Sequence, residues 1–220
     1  MVNFFSNHKY EILLTGLLQH LFIGIFLNDL AFYTRVIWPI NMLILSLTCL
    51  GIFWQKRKKE SYFLLSLFAL VSIMPIALPY FQETRFMEFI SIIYVIFFGV
   101  ILYEVMRFLV RPGYINLDII SASACGYLLI IEMHVFLMSF LLYRNPESLG
   151  TIDLTNPATA YIDLVYYASI VQTTIGFGDI SPKAHYTKLI SALFGIVGQF
   201  YTVVLIGILL SKFSTPSQDT

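Results

Sequence analysis

The residues best suited to chemistry lie in one run, Thr173-Thr174-Ile175-Gly176-Phe177-Gly178-Asp179, followed by Ile180-Ser181-Pro182. The run holds no nucleophile–base pair. What it offers is backbone carbonyls and threonine hydroxyls, hard oxygen donors that can take the place of a cation's hydration water. For successive carbonyls to face one axis, the chain must alternate conformations that L-residues dislike, and Gly176 and Gly178 take positive φ at little cost. Ionisable groups also occur inside apolar stretches, among them Glu132 and His134, and His20 beside Gln19. Glu132 and His134 are two residues apart, so on a helix they face different directions and do not pair with each other. Cys49 and Cys125 sit in apolar runs with neither a disulfide framework nor zinc spacing. No phosphate loop or metal triad is present, so neither catalysis nor a cofactor is expected.

The elements that must position this run are apolar to an unusual degree. Of 220 residues, 58% are hydrophobic and 12% charged, where soluble domains carry roughly 25% charged residues. Mean hydropathy is +0.80. A soluble fold of this size cannot hide that much apolar surface, and 20 Phe with 14 Tyr exclude intrinsic disorder. Thirteen basic residues balance thirteen acidic ones, leaving no excess for nucleic acid. The chain is expected to be an all-α integral membrane protein whose surroundings are lipid.

A membrane-crossing helix takes about 20 mostly apolar residues. Six segments qualify: Glu11 to Leu27, Val36 to Trp54, Ser61 to Leu78, Phe86 to Val110, Leu117 to Leu142 and Thr187 to Phe213. The first is weakened by Gln19 and His20, and Pro75 predicts a kink near the end of the third. Tyr161 to Gln172 is apolar and aromatic but too short to cross, which marks it as re-entrant. The cluster Lys56-Arg57-Lys58-Lys59 sets the loop between the second and third spans on the cytoplasmic side. Alternation then puts both termini inside a cell (inner or plasma) membrane and the loop before the sixth span outside. No small-x-small cleavage pattern follows the first segment, so it is expected to be retained. The short ends leave no room for a soluble domain. Residues 1–113 form a four-helix membrane unit and residues 114–220 a second unit built around the chemical run.

That run resembles the potassium-channel signature T-T-V-G-Y-G-D-x-x-P, with Ile175 for Val and Phe177 for Tyr. The resemblance covers roughly Leu117 to Phe213 and includes the order of elements: outer helix, turret, pore helix, signature, inner helix. It implies a tetrameric pore-loop channel that conducts K+ passively along the axis of a homotetramer. In this reading Thr174, Ile175, Gly176 and Phe177 supply the carbonyls that meet permeant K+, with the Thr174 hydroxyl at the innermost ring and Gly178 completing the filter. Thr173, Asp179, Tyr166, Tyr167 and Glu132 are its expected supports. Ile175 and Phe177 are expected to turn their side chains back into the protein, with Tyr166 and Tyr167 packed around them. Glu132, in the outer half of its helix, is placed to brace the filter loop from behind.

The chain departs from the family pattern in three places. Tyr166-Tyr167 stand where many members carry Trp-Trp, and Ile170 where several carry Glu, so a carboxyl pair with Asp179 is unavailable and Asp179 either accepts from Tyr166 or faces water. Phe177 lacks a bracing hydroxyl. In the inner helix, Gly195 and Gly198 are candidates for a hinge or for close packing, and Val204, Ile206 and Leu210 for an apolar constriction. The six-span plan with the pore last resembles voltage-gated cation channels, but the fourth span holds only Glu88, Glu104 and Arg107, with Arg111 beyond. That is no arginine ladder, so strong intrinsic voltage dependence is not expected. Two rival readings remain at this point: a non-selective monovalent cation channel, and a membrane sensor or scaffold whose pore is vestigial.

Overall fold

The computed structural model describes residues 8–26, 29–53, 58–77, 84–110 and 117–213. Among these all the regular elements are helices, with one isolated bridge between Leu149 and Pro182 in place of any strand. The long elements are α1 (Lys9–Phe22), α2 (Trp38–Phe53), α3 (Lys58–Ala77), α4 (Thr84–Leu109), α5 (Leu117–Arg144), α6 (Pro157–Gln172) and α7 (His185–Phe213).

Local chemistry sets several of the starts. Asp29 accepts from the amides of Ala31 and Phe32 at 2.9 and 3.0 Å. This caps a short turn, Leu30–Phe32, that passes through a π-helical stretch, Tyr33–Ile37, into α2. Asn156 caps α6 by accepting from Ala158 N at 2.9 Å, and Pro157 follows in the first helical position, where a missing N–H does no harm. The Asn156 side chain also accepts from Thr34 Oγ1 at 3.1 Å, tying the approach to α2 to the start of α6.

Four helices among the described residues are long and apolar enough to cross a membrane: Leu30–Cys49, Thr84–Leu109, Leu117–Arg144 and His185–Gly207. They correspond to the expected second, fourth, fifth and sixth spans and make the chain a multi-pass membrane protein. The expected first span is the 14-residue α1, continued by a 3-10 turn, Ile23–Phe26. Gln19 and His20 explain its lower hydropathy. The third is α3, which begins at Lys58-Lys59-Glu60 and continues through Pro75 to Ala77. Lys56, Arg57 and Arg111, which entered the orientation and voltage arguments, lie outside the described residues.

The core lies where α5 meets its neighbours. The buried positions of α4, among them Ile90, Tyr94, Phe97, Phe98, Ile101 and Val105, form one stripe at helical spacing. Tyr94 meets Phe136 of α5 edge-on at 4.6 Å, and Phe98 stacks on Phe136 at 5.5 Å. On its other sides α5 receives α1, α6 and α7. Apolar burial against so many partners makes α5 the post on which the short helix α6 is hung.

Candidate functional site

Helix α6 ends at Gln172 and hands the chain to the signature through its own last carbonyls. Thr173 N donates to Ser169 O at 2.9 Å and Thr174 N to Val171 O at 3.1 Å. The amides of Ile175 and Gly176 both point back to Ile170 O, at 2.9 and 3.2 Å. From there every second residue is left-handed: Thr174 has φ 62, Gly176 φ 53 and Gly178 φ 82. Such alternation turns successive carbonyls toward a common side. A Cβ built on Gly176 or Gly178 meets nothing within 4 Å, so backbone conformation rather than space requires glycine there. Thr174, β-branched, holds the same conformation at a strain of about 1–3 kcal/mol.

The supports differ in kind. The Tyr166 hydroxyl donates to Asp179 Oδ2 at 2.7 Å, and that hydrogen bond holds the exposed Asp179 carboxyl below the usual carboxylate range. The Tyr166 ring lies parallel to the ring of Phe177, 6.5 Å apart and tilted by 3°. Within one chain Ile175 and Phe177 remain 56% and 71% exposed; a single subunit does not enclose them. Tyr167 is buried behind, its hydroxyl 2.6 Å from Ser191 of α7. The Thr173 hydroxyl bonds Ser169 O at 2.8 Å.

A second set of supports comes from the turret and was not anticipated. Thr151, at φ 70, donates its hydroxyl to the carbonyls of Gly150 and Asp179 at 2.6 and 2.9 Å. Gly150 N bonds Ser181 O at 3.0 Å, Lys183 N bonds Ser148 O at 2.9 Å, and Thr187 Oγ1 bonds Ser148 O at 2.9 Å. These contacts clasp residues 148–151 to the segment that leaves the signature. Only the Gly-Thr pair hinted at a turn; nothing local to it points at Asp179.

On the inner side, α7 packs against the end of α6. Gln172 Nε2 donates to Tyr127 O of α5 at 3.0 Å. A Cβ at Gly198 would collide with Gln172 Cγ and lie 3.1 Å from Gln172 Cδ, whereas one at Gly195 would sit 3.7 Å from Val171 Cγ1, an ordinary contact. Gly198 is therefore a close-approach glycine, and Gly195 is not. Val204 and Ile206 are exposed on α7, together with Leu189, Leu193, Ile196, Phe200 and Val203. The side chain of Leu210 lies outside the described residues.

Glu132 and His134 face apart. His134 stacks on Phe194 of α7, 4.5 Å away and tilted by 5°, and lies 5.7 Å from the Tyr167 ring. Glu132 is fully buried, and neither of its oxygens has a hydrogen-bond partner among the described residues. It makes no hydrogen bond to the filter loop; Nε2 of His20 in α1 lies 3.7 Å from its Oε1. The expected brace from Glu132 to the filter loop is therefore not made: the face it occupies points toward α1.

Residues 125–215 match the protein family described as "Ion channel". Over 107 residues the chain is 29% identical to potassium voltage-gated channel subfamily KQT member 3 of Homo sapiens, an overlap covering 46% of this chain and 12% of that one. Over 102 residues it is 29% identical to subfamily KQT member 4 of Homo sapiens and of Rattus norvegicus, covering 46% and 13%. The chain thus spans about an eighth of the length of these relatives. No solved structure matches it. The matched stretch takes in the last part of α5, α6, the signature and α7, so the similarity to ion channels falls on the part of the chain that carries the signature.

Proposed function

We propose that the chain is one subunit of a homotetrameric channel that conducts K+ selectively and passively across a cell membrane. The observation that carries this reading is the left-handed backbone at Thr174, Gly176 and Gly178 directly after the 16-residue helix α6. Irregular backbone at membrane depth persists only where it is buried or lines a watery path. One chain contributes one strand of carbonyls, and a dehydrated cation needs rings of them, so four copies meet around an axis. The exposed apolar face of α7 and the exposed side chains of Ile175 and Phe177 are the surfaces those copies cover.

In this arrangement Thr174, Ile175, Gly176 and Phe177 present their carbonyls to K+, and Thr174 adds its hydroxyl at the inner end. The C-terminus of α6, at Thr173, aims the negative end of its dipole at the ion as it enters from inside. Tyr166, Asp179 and Thr151 hold the outer end. All six apolar segments cross, α6 is re-entrant, and both termini are cytoplasmic, which leaves the turret and Asp179 outside.

The rival reading is a non-selective cation channel, favoured by the weak enclosure of Ile175 and Phe177 within the chain. Purified protein in liposomes, measured with K+ on one side and Na+ on the other, tests both readings. A reversal potential near that for K+ is expected. One near zero establishes the non-selective channel, and absence of any cation flux would leave a vestigial pore.

A further inference from the structure

One polar cluster inside the membrane plays no part in the filter. His20 of α1 and Glu132 of α5 are fully buried, 3.7 Å apart between Nε2 and Oε1. That gap is longer than a direct N–H···O bond and matches an ion-pair or water-bridged contact. Asn41 of α2 donates from Nδ2 to the His20 carbonyl at 3.3 Å and sits 2.9 Å from His20 Nδ1. The carbonyl can only accept, so the amide nitrogen faces it; Nδ1 is then the acceptor of the second contact. A neutral His20 therefore carries its proton on Nε2, the nitrogen turned toward Glu132.

The remaining neighbours come from every other element around the pair. Tyr161 of the pore helix α6 lies 5.5 Å from the His20 ring and, with Tyr33 of the π-helical stretch, close enough to feel the charge of Glu132. Trp38 lies 5.0 Å from the Tyr161 ring, and Phe136, which Tyr94 of α4 meets edge-on at 4.6 Å, lies 5.9 Å from it. Among the described residues, the titratable groups near the pair beyond the imidazole and the carboxyl are these phenols. The hydroxyl of Tyr161, Asn41 Oδ1 and both Glu132 oxygens are buried without a hydrogen-bond partner among the described residues.

We propose that His20 and Glu132 form an intramembrane proton-binding site that latches α1 and the pore helix to α5. The cluster is neutral when the pair holds one titratable proton. A second proton makes an imidazolium with no counter-charge and sets an N–H on Nδ1 against the Asn41 amide. Loss of the only proton leaves a lone carboxylate among phenols. Either charge is isolated at membrane depth, where it is strongly disfavoured, so both changes loosen the latch. Because Tyr161 belongs to the helix that carries the filter, loosening reaches conduction; this last step rests on the channel reading above.

The test is thermal melting of the detergent-solubilised assembly across pH, alongside K+ flux in liposomes, for wild type, Glu132→Gln, His20→Gln and the double variant. Wild-type melting is expected to peak at intermediate pH and fall on both sides. Glu132→Gln retains only the acid-side fall, since the histidine can still gain a proton. His20→Gln retains only the alkaline-side fall, and the double variant shows neither. Flux follows the same pattern. Singles that fail to assemble while the double variant assembles also support the latch, whereas loss of assembly in all three overturns it. A wild-type melting curve without either limb, or limbs unchanged by the substitutions, overturns it as well. Melting limbs without any wild-type K+ flux would leave the proton site standing and remove the channel reading instead.

Discussion

The hydroxyl of Thr151 donates to the backbone carbonyl of Asp179 at 2.9 Å, joining the turret to the outer end of the signature. Thr151 adopts φ 70 to do so, a conformation that a β-branched residue rarely holds without compensation. The Asp179 side chain is held separately by Tyr166, so backbone and carboxyl of one residue are fixed from two directions. Thr151→Val removes the hydroxyl but keeps the shape, and a lost hydrogen bond of this kind costs about 0.5–1.5 kcal/mol. The expected result is faster loss of conduction at low external K+, with Thr151→Ser behaving as wild type. Equal decay rates in all three proteins would assign Thr151 to the turret alone.

Tyr166 stabilises the charged form of Asp179 by donating to it, which lowers the carboxyl's pKa. The sign follows: the bond's contribution is present above the ordinary carboxylate value and is lost as pH falls through the lowered one. In Tyr166→Phe the carboxyl returns toward its ordinary value, so external acid reduces conduction at a higher pH than in wild type. Titrating current against external pH checks this, with Asp179→Asn as the variant that has no carboxyl to protonate. An acid midpoint that Tyr166→Phe leaves in place would remove the brace from the account.

Gly176 and Gly178 each have open space where a Cβ would go, so alanine at either position is opposed by conformation, about 1–2 kcal/mol per residue in the left-handed region. That is too little to prevent assembly and enough to turn a carbonyl away. Gly176→Ala and Gly178→Ala are expected to form tetramers that have lost K+ selectivity, as read by cross-linking and reversal potential. Retained selectivity in both would contradict the filter assignment.

How much of this was legible in sequence depended on distance along the chain. The signature states its own backbone requirement in two glycines two apart, and the left-handed φ at Gly176 and Gly178 follows it. Tyr166 was one of two outcomes the sequence offered for Asp179, the other being water, because Ile170 supplies no carboxyl; the hydrogen bond across 13 residues selects the first. Thr151 did not stand out, since one hydroxyl in a loop gives no sign of a partner 28 residues away. Glu132 marked itself as costly in an apolar helix, but periodicity gives a face and not the neighbour on it; His20 comes from the far end of the sequence. Gly195 and Gly198 look alike as letters, and only the position of Gln172 separates them.

That separation is measurable. Gly198→Ala drives a methyl into Gln172 Cγ, next to the amide that holds Tyr127 O. Overpacking of this kind costs about 1–3 kcal/mol. Gly195→Ala adds a methyl at ordinary contact distance and, in mid-helix, removes glycine's entropic penalty. Melting of the tetramer is expected to fall in the first variant and to hold or rise in the second. If α7 instead bends at Gly195 to open, Gly195→Ala would leave melting intact and reduce open probability, which single-channel recording detects.

The last expectation concerns voltage. A charge that crosses the full membrane field contributes about 2.3 kcal/mol per 100 mV, and steep gating needs several per subunit. The buried stripe of α4 facing the core is apolar apart from Ser91 and the ring hydroxyl of Tyr94, and Arg107 stands in the helix's last turn, near the edge of the field. Each subunit therefore moves little charge even if α4 shifts, and conductance is expected to change only shallowly between strongly negative and positive potentials. Arg107→Gln should leave that shallow curve nearly unchanged. A steep curve that flattens in Arg107→Gln would show that α4 carries gating charge after all. Steepness that survives the substitution would place the moving charge in the filter, as K+ itself.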